Sequence, residues 1–383
     1  MNRLQSDGIK FNGKIIPFSI SAFSCDAPAR SFIRCTIGHT GYNACERCDT
    51  KGEHRNGRMC FLAYGSRRTD LGFRTRMYAQ HQTGNSPLTK LTNFDLVMGF
   101  PLEYQHLICL GVVKKLITLW RQGITGDHRA QLHHTKITSI SDHLLFFKAF
   151  KPKEIQRPVS GIPSDSKKLH WKATEFISFL VYYGVVCLKN HLPDNMYRHF
   201  LLLHVAISIL LSSELCLDNE WLDYSEKLLV MFVSQFPEFY GRGLVSFNIH
   251  SLRHIVDDVR YRKCSLDNFS AFPFESFYYT LKKLVRSTNN ALQQVLRRFG
   301  EIQDIVLPPC SLPSTSPVLL AQKKDLLEID NKLYKEFSKY VVPTRYEINT
   351  GCKGDQCVQL KDGSIVQIDN LFYDKQRDLL KIS

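Results

Sequence analysis

The sequence has no apolar run long enough to cross a bilayer. Phe176 to Leu188 and Phe200 to Leu211 fall short of the roughly 20 residues a spanning helix needs, and the second run carries His204. Both are expected as buried core helices. Residues Met1 to Gly8 contain no apolar core of the kind a secretory signal requires, so the chain is expected to stay inside the cell, where disulfides do not persist. The twelve cysteines are then buried small hydrophobes or metal ligands, and spacing decides which. No internal repeat is present, which excludes a solenoid. No His-Glu-x-x-His set is present either, which argues against a zinc hydrolase. Acidic residues are also in short supply: 36 Asp plus Glu stand against 50 Lys plus Arg, a formal charge of +14. That balance suits a protein that meets a polyanion, nucleic acid first, although solubility charge spread over a surface gives the same total. With 44% hydrophobic and 22% charged residues, the composition is globular rather than disordered, and the length allows two or three domains.

Along the chain, residues 14–26 alternate in the manner of a strand, with Phe18, Ile20 and Ala22 on one face and Phe23 and Cys25 on the other. The strand ends at Asp26, and Ala27-Pro28-Ala29 begins a helix with proline where a first turn accepts it. Residues 35–101 are polar, rich in Arg, Cys and His and without periodicity, and are expected as a metal-stapled insertion of loops. Residues 102–120 repeat apolar positions at helical spacing (Leu102, Leu110, Val113, Leu116, Leu119, Trp120). Helical patterns continue at 137–150, 171–189, 195–216 and 220–235. Residues 270–288 form one further helix, with an apolar stripe of Phe274, Phe277, Leu281, Leu284 and Val285. The segment 311–317 is a linker by composition, and residues 358–368 predict two strands around an Asp362-Gly363 turn. The fold class is therefore α+β, in five segments: 1–34, 35–101, 102–265, 266–310 and 311–383.

Cys45-x-x-Cys48 has the spacing of a zinc half-site, and a glycine-containing, Arg-rich loop offers no core in which to bury two free thiols. One structural Zn2+ is expected there. His54 and Cys60 follow closely enough to complete it, while His106 or His39 are alternatives the fold would have to bring in. Asp26 suits a ligand of catalytic divalent ions and suits an N-cap equally well. Glu275 and Glu103, each near a helix start, have the same double reading, since acids in a first turn are favoured by the helix dipole. Basic groups recur at Lys114-Lys115, Lys282-Lys283 with Arg286, Arg297-Arg298, and Arg67-Arg68 with Arg74 and Arg76. Such groups neutralise phosphates, and each is also read as a solvated face.

Several blocks, taken together, resemble the transposases of CACTA (En/Spm-like) cut-and-paste DNA transposons. They are Cys25-Asp26-Ala-Pro-Ala-Arg30, Gly38-His-Thr-Gly-Tyr42 with Cys45-x-x-Cys48, the run Leu102 to Leu116, Trp171 to Phe176, Asn248-Ile-His-Ser-Leu-Arg-His254, and Phe272-Pro-Phe-Glu-Ser-Phe277. They occur in the family's order across residues 8–290. The resemblance implies an RNase H-like catalytic core, a zinc-binding insertion and a helical insertion before the final core helix. It also implies hydrolysis and strand transfer at transposon ends, with Mg2+ held by three acids. Asp26 falls where the second acid belongs; Glu275 is preferred for the third, with Glu103 as its competitor. The family's first acid lies upstream of the position matching Ile9, and Asp7 does not replace it. The chain is accordingly expected to lack the start of the catalytic domain, to bind DNA in the nucleus without cutting it, and to self-associate through an incomplete sheet, with no membrane partner. A domesticated, non-catalytic DNA-binding or interaction scaffold is the alternative.

Overall fold

Asn12-Gly13 and Asn56-Gly57 adopt the same backbone shape, φ 47° at each asparagine and 75° at each glycine. That left-handed pair makes a type I′ hairpin turn. Each joins two short antiparallel strands, Ile9–Phe11 with Lys14–Ile16 and Glu53–Arg55 with Arg58–Cys60. The computed structural model describes residues 1–123, 127–153, 155, 157, 160–163, 169–304, 318–329, 332–342, 346–374 and 379–382. The expected linker at 311–317 lies outside them. The chain divides into two compact units, residues 1–140 with 162–278 and residues 141–161 with 279–383.

In the first unit the strand expected over 14–26 is shorter than its alternation suggests. Only Lys14–Ile16 joins a ladder, and in the stretch that follows the Phe23 N–H donates to the Gly99 carbonyl at 2.9 Å. Asp26 caps the next helix, Ala27–Arg34, by accepting from the Ala29 N–H at 2.8 Å. Residues 35–101 are mostly loops, as expected, but they do enclose a core. Phe73, Leu91, Phe94, Leu96, Val97 and Phe100 are buried together, with Phe23 and Ile33 packed against them. Loops supply most of these side chains, so no period marks them in the sequence. The Arg34 guanidinium is buried among them, 5.2 Å from the Phe73 ring and 5.3 Å from that of Phe100.

The helical stretch matches its apolar patterns: Lys114–Gln122, Ala173–Ser178, Gly184–Leu188, Asp194–Leu211 and Asn219–Tyr240. Gln105–Val113 is a widened, π-helical run that continues into Lys114–Gln122. Leu107, Ile108, Cys109, Val112 and Val113 are all buried there, and only His106, Leu110 and Gly111 are partly exposed. The helices Asp194–Leu211 and Asn219–Tyr240 pack on each other, burying Phe200, Leu203, Leu229, Phe232 and Phe236. Each such side chain contributes about 1.5–3 kcal/mol on leaving water.

The second unit holds an antiparallel sheet in which Lys332–Val342 pairs with Val318–Ile329, Tyr346–Asn349 and Leu371–Asp374, and the last of these pairs with Leu379–Ile382. A separate ladder joins Cys357–Gln359 to Ile365–Gln367. The Asp362-Gly363 turn sits between those two strands, with Gly363 at φ 88°. The mixture of helices and small antiparallel sheets is α+β.

Two buried histidines make the fold acid-labile. His199 stacks on Phe232, hydrogen-bonds its carbonyl at 2.8 Å, and burial pushes its pKa down to about 4. His81, bonded to the Asn43 carbonyl at 2.7 Å, is pushed down to about 3 by burial and then by Arg68 and Arg34. Both folded values lie below the unfolded value of about 6.5. The unfolded chain therefore binds more protons below pH 6.5, and stability present above that pH is lost as pH falls toward 4 and 3. At pH 5 each histidine should cost about 2 kcal/mol. Urea titrations at pH 7 and pH 5 should show His199→Phe losing about 2 kcal/mol less on acidification than the unsubstituted chain. An equal loss in both proteins would refute the assignment.

Candidate metal centre and acid cluster

The Cys45–Cys48 loop is shaped by its backbone. The Cys48 N–H points at the Cys45 sulfur at 3.4 Å. The segment Ser66–Arg68 lies alongside, with Asp49 N–H to the Ser66 carbonyl at 3.0 Å and Arg68 N–H to the Arg47 carbonyl at 2.8 Å. Gly65 permits this approach, since a Cβ there would stand 2.5 Å from the Thr50 nitrogen. Facing the loop is the segment after Ser246, with the helix Phe247–Ser251, the tighter turn Leu252–His254 and the helix Ile255–Arg262. His250 and His254 are four residues apart and so share one helical face.

The four side chains meet. Cys45 Sγ is 3.6 Å from His254 Nε2, Cys48 Sγ is 3.3 Å from His250 Nε2, the sulfurs are 3.4 Å apart and the two Nε2 atoms 3.3 Å apart. All four ligand atoms lie within 4.8 Å of one another, and all four residues are buried. A tetrahedral zinc with Zn–S about 2.3 Å and Zn–N about 2.0 Å has edges of roughly 3.8 Å between sulfurs, 3.3 Å between nitrogens and 3.5 Å between sulfur and nitrogen. The set therefore fits a metal such as zinc in size and in donor chemistry. The hydrogen bond the two cysteines share pulls the Cys48 thiol down, against burial and with help from His250 and the Thr50 hydroxyl, while burial pushes the Cys45 thiol up. A metal takes both as thiolates. The Nδ1 atoms of both histidines are buried without a hydrogen-bond partner, which leaves Nε2 as the atom each ring presents.

The two cysteines are buried, with Ala44, Phe61 and Phe247 clustered beside them, contrary to the expectation of a loop without a core. The ligand set also corrects the sequence reading. His250 and His254 complete it, 202 and 209 residues from Cys48 and Cys45, and His54, Cys60, His106 and His39 lie outside it. Cys60 donates to the Gly243 carbonyl at 3.1 Å, and His54 is exposed on the second hairpin. The His-x-x-x-His spacing on a helix was visible, but nothing in the sequence tied it to a cysteine pair so far away.

His106 sits elsewhere, among the candidate acids. Its Nδ1 is 2.7 Å from Glu103 Oε2 and its Nε2 is 3.3 Å from Glu275 Oε1. The Glu103 hydrogen bond raises the His106 pKa most, burial opposes it, and the charges of Glu103, Glu275 and Asp26 add to the rise. Glu275 thus touches the imidazole directly, while Asp26 reaches it only as the weakest of these charges. Glu103 is fully buried and accepts from the Gln105, His106 and Ala271 N–H groups at 2.6, 2.9 and 3.0 Å. Burial alone would raise its carboxyl, but these bonds and His106 hold it below the usual carboxylate range.

The basic groups are less free than their spacing suggests. Arg67 pairs with Asp257 at 3.0 Å, Arg74 with Asp70 at 2.7 Å, and Arg68 donates to the Cys45 carbonyl at 3.1 Å. Lys115 gives its ammonium to the Leu244 carbonyl at 2.8 Å. No helix among the described residues is long and apolar enough to cross a membrane. The metal centre and the acid cluster are what the chain's own geometry offers, since no family model, curated protein or solved structure matches it.

Proposed function

We propose that the chain is a DNA-binding protein related to the CACTA (En/Spm-like) transposases, with RNase H-like ancestry and a structural zinc on Cys45, Cys48, His250 and His254. The observation that carries this reading is the meeting of Glu103 and Glu275 on the two ring nitrogens of His106, with the Asp26 charge a weaker influence on the same imidazole. Those are the acids the sequence resemblance nominates, and neither helix packing nor zinc binding requires them to meet. The excess of 14 positive charges supports a polyanionic partner and, with it, a nuclear location.

Cutting is not part of the proposal. A hard cation needs free carboxylate oxygens. Glu103 already accepts four hydrogen bonds, and the His106 imidazole stands between it and Glu275. The family's Mg2+ does not fit the acids in this arrangement, which favours the non-catalytic scaffold over the nuclease. Purified protein incubated with duplex DNA should retain it with an affinity that falls steeply as salt rises, and a denaturing gel should show no breaks in Mg2+ or Mn2+. Breaks abolished by Asp26→Ala would overturn the non-cutting half. Retention that is absent, or indifferent to salt, would overturn the DNA half.

A further inference from the structure

We propose that the groove between the hairpin Glu53–Cys60 and the turn Gly241–Leu244 grips the phosphodiester backbone of nucleic acid, at a place separate from the acid cluster. The inference rests on the DNA-binding reading above and assigns it a surface. The groove encloses about 1,090 Å³, and its lining includes Arg55, Arg58, Arg129 and Arg242 against only two acids, Glu53 and Asp127. Both acids are already engaged. Glu53 takes Nε and Nη2 of Arg55 at 2.7 and 3.0 Å, and Asp127 takes Nε of Arg129 at 2.9 Å. Arg58 and Arg242 are exposed and are in no ion pair among the described residues, although Arg242 lies near enough to Glu53 to lower its pKa.

Two exposed guanidinium groups outside any ion pair, beside two more held in place by carboxylates, make a polar groove for an anion. Guanidinium forks match phosphate oxygens. Behind the wall, the half-buried Lys115 has its pKa pushed down to about 8, by desolvation first and next by Arg58, against a weaker opposing influence of Cys60.

The groove is also rigid. The Cys60 thiol donates to the Gly243 carbonyl at 3.1 Å, the Phe61 N–H to the Val245 carbonyl at 2.8 Å, and the Asn56-Gly57 turn fixes the hairpin tip. Three residues past Phe247, the same segment supplies His250 to the metal centre. A structural zinc would therefore hold one wall in place. Open walls carrying cations on both sides suit a continuous strand of phosphates better than a single enclosed phosphate. A free polyphosphate shares the chemistry and has to be told apart.

The test uses the whole 383-residue, zinc-loaded chain and its Arg58→Gln, Arg242→Gln double variant, with zinc content and melting temperature as folding controls. A Lys10→Gln, Lys14→Gln variant removes the same charge from the other hairpin. DNA affinity is measured across a salt series. The double variant should flatten the slope of log K against log[salt] by about 2, close to 0.9 for each phosphate no longer neutralised, and the lysine variant should flatten it less. Equal slopes in the arginine variant and the unsubstituted chain, or equal changes in both variants, overturn the inference while leaving DNA binding intact. No DNA retention by the unsubstituted chain overturns both readings. In a parallel arm with inorganic tripolyphosphate, binding abolished in the arginine variant while its DNA slope stays unchanged would overturn the nucleic-acid assignment and give the groove to free polyphosphate.

Discussion

Protein purified without chelator should carry one zinc ion per chain, and Cys48→Ser or His254→Ala should remove it; this is the largest effect expected. The four ligand atoms lie within 4.8 Å of one another, close enough to share one ion. They join two stretches of chain about 200 residues apart, so the metal closes a long loop. In zinc-finger peptides metal binding supplies on the order of 10 kcal/mol of folding free energy. A whole domain is stable by roughly 5–15 kcal/mol, so losing even half of that contribution should unfold the loops of residues 35–101 or the whole first unit. Metal analysis and thermal melts with and without chelator read the effect directly. His54→Ala and Cys60→Ser should keep one zinc per chain, because neither residue belongs to the set. A chelated protein that melts at the same temperature, or zinc lost on replacing His54, would remove the assignment.

Asp258→Ala should cost about 3–5 kcal/mol, the usual result of leaving one partner of a buried pair uncompensated. Arg47, between the two metal-binding cysteines, gives Nη2 to Asp258 Oδ1 at 2.6 Å, and both side chains are nearly inaccessible. The guanidinium also donates to the carbonyls of Val97 and Phe100, while Asp258 Oδ2 accepts from the Leu102 N–H at 3.0 Å. One carboxylate thus ties the cysteine loop, residues 97–102 and the helix one turn beyond His254 together. Removing it leaves a buried cation and an unsatisfied N–H. Urea unfolding measures the change, and the variant should also release zinc at lower chelator concentration. A stability within about 0.5 kcal/mol of the unsubstituted chain, the range of ordinary surface substitutions, would show that the ion pair contributes nothing.

The expected helices from 137 to 235 appear near their expected bounds, because a buried helix has to place apolar residues at a period near 3.6. Periodicity also located the helix Phe272–Leu284, although none of its residues is buried and Phe274 and Phe277 of its apolar stripe are exposed, and the Asp362-Gly363 turn located the two strands beside it. Periodicity failed between residues 35 and 101. There Phe73, Leu91, Phe94 and Phe100 reach one core from loops, and loops carry no period. It also missed that Gln105–Val113 is buried nearly all round.

Local chemistry was legible wherever it needed only neighbours. The Asp362-Gly363 turn and the Cys45-x-x-Cys48 pair each needed only a few residues of backbone geometry or ligand reach, and Asp26 carried its N-cap reading beside a metal-ligand one, while the Asn12-Gly13 and Asn56-Gly57 hairpins went unread. The rest depended on contacts across the chain. His250 and His254 become ligands only because the helix Phe247–Ser251 is brought to the cysteine loop, and Gly111 permits part of that packing: a Cβ there would stand 2.4 Å from Asn248 Nδ2. The arginines at 67, 68 and 74 read as a phosphate-binding cluster, yet their partners are Asp257, a cysteine carbonyl and Asp70. Composition and periodicity specify which side chains leave water and which residue types can hold a metal. Which distant groups each one meets depends on the packing of the whole unit, because a charge or ligand acts over a few ångströms of space and not along the chain.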